Sequence, residues 1–138
     1  MLHFISTSKY SQELTYLLKI ASWAGIAALA LLSLLPAENL ARTGVGVIGE
    51  HSLAYAGVVL LVGFAYGIRQ RLVWLGVLMT GYASILEMLQ TFSPGRNPKL
   101  SDFSASCVGI VSGIMTLLLL RSWSAWRPDA TLSQVERK

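Results

Sequence analysis

The chain has 138 residues, of which 54% are apolar and only 13% charged. Soluble domains carry about twice that charged fraction, so an ordinary water-soluble fold is excluded, and a single cysteine, Cys107, rules out a disulfide framework. The net charge of +4 comes from basic residues dispersed among apolar runs, which argues against a nucleic-acid surface and in favour of membrane topology.

Residues 1–13 are too polar to span a bilayer and read as an irregular or interfacial lead-in. Four apolar runs follow, at roughly 14–36, 52–68, 72–89 and 103–120. Each approaches the ~20 residues that cross a hydrocarbon core of about 30 Å, and none alternates at period two as a barrel strand would. The predicted fold is therefore all-α, a polytopic bundle of four transmembrane helices occupying 14–120, with a polar tail over 121–138. The first run competes with a cleavable signal peptide ending near Ala37. Its apolar core is longer than the 7–15 residues of such a peptide, and its strongest part begins only after Lys19.

Pro36, followed by Glu38 and Asn39, ends the first helix, and a loop is expected to about Gly49. The second run extends outward through His51 and Glu50. A tight basic turn at Arg69-Gln70-Arg71 predicts that the second and third helices are antiparallel neighbours. The third loop, from Thr91 to Ser101, holds the turn pairs Pro94-Gly95 and Asn97-Pro98. Ser101 or Asp102 is positioned to cap the fourth helix. Eight of the eleven basic residues fall on the side of the termini and second loop, leaving Arg42, Arg96 and Lys99 on the other. By the positive-inside rule both termini are cytoplasmic and the first and third loops lie outside. Trp123 and Trp126 fit an interfacial anchor or a simple helix end.

Polar residues on the predicted helices fall into stripes. His51 and Tyr55 share one on the second helix, continued by Val58 and Val62. Thr80, Ser84, Glu87 and Thr91 form another on the third, with Gln90 beside them. Asp102, Ser106, Gly109, Gly113 and Thr116 form the last, in which Gly109 and Gly113 are a small-xxx-small pair. His51, Glu50, Glu87, Gln90, Arg96 and Asp102 are all expected near one depth on the outer side. Glu87 lies about one turn inside its helix, where a carboxylate needs a partner or a wet cavity.

Each residue has a functional and a plainer reading. Glu87 is either a buried carboxylate paired with Arg96 or His51, or a direct ligand of a substrate or ion. Arg96 either clamps its loop to Glu87 or Asp102, or receives an anionic lipid or phosphate on its planar donor fork. His51 is a helix-start hydrogen-bonding residue or a proton-transfer partner of Glu87. Asp102 is a cap or a catalytic carboxylate, Gln90 an orienting group that binds the ligand, Tyr55 a packing aromatic or a ligand-binding one, and Tyr82 a packing aromatic. Ser106 and Cys107 have no sequence-local base and read as packing residues. The spacing matches no recognised metal pattern, no cofactor is indicated, and no motif demands an enzyme class.

One combination is more specific. Glu87-x-x-Gln90, Phe92, Pro94-Gly95-Arg96 and Asp102, with His51 and Tyr55 before them and Gly109 and Gly113 after, resemble the VanZ-like family of small bacterial membrane proteins over roughly residues 45–118. The family's characteristic positions map to His51, Tyr55, Glu87, Gln90, Arg96 and Asp102. The chain departs from the pattern at Ser106, where asparagine is usual, and at Glu50, where lysine is frequent. The founding member's association with teicoplanin resistance implies work at the outer envelope surface. The resemblance thus implies a multi-pass protein of the bacterial cytoplasmic membrane. Its expected role is to bind or modify an anionic lipid or cell-wall precursor head group at the outer leaflet. A non-catalytic structural or assembly protein and a small proton-coupled transporter are the alternatives, and oligomeric state is not legible.

Overall fold

The structure, a computed structural model, describes residues 2–39, 44–67 and 71–125, with side chains between 12 and 122 apart from that of residue 37. Four helices account for most of it: α1 (Leu2–Leu34), α2 (Gly46–Tyr66), α3 (Leu72–Leu89) and α4 (Leu100–Ala125). Short 3₁₀ turns follow α1 at Ala37–Asn39 and α3 at Gln90–Phe92. All four helices are long and apolar enough to cross a membrane, so the chain is a multi-pass membrane protein.

The side chains left outside are themselves large and apolar, among them Leu17, Trp23, Val73, Leu78, Met88 and Leu119. In water so much exposed apolar surface would have to be covered. In a bilayer it is the lipid-facing surface, and helix association then rests on close packing and hydrogen bonds.

Three boundaries differ from the sequence expectation. The lead-in before residue 14 is helical and continuous with α1, which at 33 residues measures about 50 Å, well beyond the hydrocarbon thickness. α4 begins at Leu100, so Ser101 and Asp102 fall inside its first turn rather than at its cap. The Lys99 carbonyl instead accepts the backbone N–H groups of Asp102 and Phe103, at 2.9 and 3.2 Å. α2 also starts slightly earlier than expected, after a turn in which Gly46 takes a φ of +80°. That left-handed conformation is open to glycine at little cost.

The helix arrangement also corrects one expectation. α2 and α3 touch only slightly, whereas α2 and α4 share the most extensive interface, α1 packs on α2, and α3 packs on α4. The reason is the glycine pair on α4. A Cβ at Gly109 would collide with the Ser52 backbone of α2, and one at Gly113 would meet Val59 Cβ at 2.9 Å and the Ala56 carbonyl at 3.0 Å. With hydrogen in place of a methyl at both positions, the two backbones meet directly, and α3 packs mainly on α4 with only slight contact to α2. Residues 68–70, including Arg69 and Gln70, lie outside the described residues, as do Arg42 and the Trp123 and Trp126 side chains.

Pairings along the bundle fix its register. Ser52 faces Ala105, Val59 faces Gly113 and Gly63 faces Leu117, so α2 and α4 run parallel. Ile26 pairs with Tyr82 and Leu34 with Ser93, so α1 and α3 are also parallel. One end of the bundle, termed distal, therefore gathers the finishes of α1 and α3 with the starts of α2 and α4. Between the ends runs a core of Leu29, Tyr55, Val58, Val59, Val62, Leu75, Met79, Ala83, Leu86 and Ile110.

Candidate functional site at the distal end

The buried polar side chains of α3 and α4 gather at the distal end. Gln90 is 1% exposed, Ser106 2% and Asp102 8%, and Glu87 and His51 are half-buried. They come from the end of α3 and the starts of α4 and α2, which the helix register brings to one level.

Glu87 is committed to the third loop. Its Oε1 accepts the backbone N–H of Lys99 at 2.6 Å, and its Oε2 accepts a long 3.5 Å hydrogen bond from Gln90 Nε2. Lys99 immediately precedes α4, so the carboxylate lies close to that helix's N-terminus, where the helix dipole favours negative charge. Glu87 thereby joins the end of one helix to the start of the next.

Arg96 is directed the other way. Its Nη2 donates to the Leu32 carbonyl at 2.7 Å and its Nε to the Leu35 carbonyl at 3.3 Å. Ser93 Oγ donates to the Leu34 carbonyl at 2.9 Å. These acceptors belong to the final turn of α1 and the residue after it, where the last helix carbonyls have no partner within the helix. Pro36 removes a further donor just beyond, and the third loop supplies the missing ones. The loop is thus clamped to α1, a partner that the sequence did not name.

His51 Nδ1 lies 3.3 Å from Ser106 Oγ, and the Ser106 hydroxyl donates to the Asp102 carbonyl at 3.0 Å. A serine has one proton to give. With it directed at Asp102, Oγ is left to accept, which requires the proton of a neutral His51 to sit on Nδ1. Nε2 is then the nitrogen with a lone pair. Ser106 in this state is not an activated nucleophile, because its proton is not held by a base. Tyr55, 2% exposed, interacts through its hydroxyl with the Ser106 side chain, within electrostatic range of Glu87 and Tyr82. The Asp102 carboxylate accepts from Ser101 Oγ at 3.0 Å.

The expected residues thus separate into two linked groups. His51, Tyr55 and Asp102 surround Ser106, while Glu87, Gln90 and Arg96 tie the third loop to α4 and α1. On α3, Thr91 is exposed and the buried line instead runs through Leu75, Met79, Ala83, Leu86 and Gln90. Two roles were missed in the sequence reading. Ser106, taken as packing, is the shared acceptor of the α2–α4 contact; its position one turn after Asp102 was the available signal. Tyr82 does more than pack, since its hydroxyl donates to the Ile26 carbonyl at 2.6 Å and pins α3 to α1. Among the described residues no group of three histidine, cysteine or acidic side chains is close enough to hold a metal ion.

Comparison with protein-family models, with curated proteins and with solved structures gives no match for this chain.

Proposed function

We propose that the chain is a VanZ-like protein of the bacterial cell envelope that binds the anionic head group of a lipid or cell-wall precursor at its distal end. The observation that carries this reading is the layer of buried polar side chains at one level, with Gln90, Asp102 and Ser106 all under 9% exposed. Ionisable groups within membrane helices are costly and characteristically mark ligand or proton pathways. In this reading Arg96 supplies positive charge beside the site while its hydrogen bonds hold the loop. Gln90 orients the head group, and His51 exchanges a proton through Nε2.

A second reading has its own observation. Glu87, Ser93 and Arg96 all hydrogen-bond to main-chain groups of neighbouring segments, which is what a purely structural or assembly role would use. Lipid retention on purified protein, measured beside thermal unfolding for Glu87→Gln, His51→Ala and Asp102→Asn, separates the two. Head-group binding predicts folded variants that release the lipid. Variants that melt early yet retain it when folded favour the structural role.

A further inference from the structure

At the opposite, proximal end, where α2 finishes and α3 begins, we infer that Lys19 and Tyr66 form a second site, which receives the phosphate of an anionic phospholipid. Trp23 Nε1 donates to Tyr66 Oη at 2.7 Å, and Lys19 Nζ lies 5.6 Å from the centroid of the Tyr66 ring. The tryptophan bond fixes the phenol and occupies its oxygen as an acceptor, leaving the hydroxyl proton as a donor. Lys19 is exposed, and among the described residues no carboxylate pairs with it. Tyr66 therefore carries a cation over its ring and a hydroxyl donor at its edge, with no anion paired to the lysine among the described residues.

Depth identifies the ligand class. Tyr66 is the last residue of α2, so Lys19 beside it marks the membrane boundary at this end, even though α1 continues outward. Gln12, Thr15, Tyr16 and Lys19, on one face of α1, line a groove of about 320 Å³ that opens from this point. A volume of that size is at the lower end for small-ligand sites. Glu13 lines the adjoining groove, not this one. A lysine with its stem along apolar surface and its ammonium at the head-group level is the arrangement that attracts anionic lipid. The basic-residue distribution assigns this end to the cytoplasmic leaflet, where such lipids concentrate.

The experiment uses the full chain in nanodiscs of phosphatidylglycerol or phosphatidylcholine, with bound lipid counted by native mass spectrometry. Wild type retains phosphatidylglycerol selectively. Lys19→Met, which keeps the apolar stem, weakens that retention about fivefold, the effect of one near-surface lysine. Tyr66→Phe weakens it in the same direction, and neither changes phosphatidylcholine binding. His51→Ala lowers the count through the distal site alone, and Lys19→Met lowers it by the same factor in the wild-type and His51→Ala backgrounds, so failure here and failure of the distal site are distinguishable. Equal retention of both lipids, or no change on Lys19→Met and Tyr66→Phe, overturns the assignment. Displacement by millimolar glycerol phosphate also overturns it, in favour of a soluble phosphate ligand.

Discussion

Arg96 donates to the carbonyl of Leu32 across 64 residues of sequence, at 2.7 Å. A cation in the third loop thereby completes the C-terminus of the first transmembrane helix. Positive charge is favourable at that end of a helix, and the same guanidinium reaches the Leu35 carbonyl.

Loss of that clamp is expected to destabilise the bundle. Arg96→Ala removes two charge-assisted hydrogen bonds and strands carbonyls at a membrane helix end, at a cost of about 1–3 kcal/mol. Arg96→Lys recovers part of this, because an ammonium cannot reproduce the guanidinium's planar fork. Unfolding in mixed detergent, followed by circular dichroism, ranks the three proteins. Equal stability of wild type and Arg96→Ala would refute the capping role.

The α2–α4 seam makes a sharper contrast. Gly109→Ala places a methyl against the Ser52 backbone and is expected to cost about 1–3 kcal/mol through overpacking. Gly57 has nothing within 4 Å of its would-be Cβ, so Gly57→Ala is expected to be neutral or slightly stabilising, through helix propensity. A bundle that tolerates both substitutions equally does not have the close backbone contact described.

The hydrogen-bond chain through Ser106 fixes a proton. Imidazole ¹⁵N chemical shifts of neutral His51 are expected to report Nδ1–H as the dominant tautomer. Ser106→Ala removes its acceptor and is expected to move the population toward Nε2–H. An Nε2–H tautomer in the wild type would mean that Ser106 points elsewhere.

Membrane orientation is accessible by labelling. In a Cys107→Ala background, a cysteine at the exposed distal position Asn97 is expected to react with an impermeant maleimide on intact cells. A cysteine at exposed Ser122, at the proximal end, is expected to react only after permeabilisation. The reverse pattern would invert the topology read from the basic residues.

How far the sequence carried is best seen residue by residue. The spans were legible because each is a long apolar run with polar ends, and α3 keeps the bounds expected for it. Gly109 and Gly113 were recognisable as a contact pair, but not which helix they met. Nothing in the second or fourth run names its partner, and the short turn between α2 and α3 suggested a different neighbour. Glu87 was correctly singled out as needing a partner, yet that partner is the Lys99 amide, and backbone groups leave no trace in a residue pattern. The same applies to Arg96. Its acceptors are carbonyls that every residue carries, freed by a helix end and by Pro36. The helical lead-in was missed because polarity decides whether a segment can span a bilayer, not whether it can coil beyond one.

The manner in which α1 is gripped has one more consequence. Tyr82, Ser93 and Arg96 all take hold of its main chain, at Ile26, Leu34, Leu32 and Leu35. Amide oxygens are common to every residue type, so this half of α1 can exchange its apolar identities widely while keeping its grip. An inserted or deleted residue, in contrast, would rotate the whole row of acceptors out of reach. Length, more than spelling, is what this transmembrane segment must preserve.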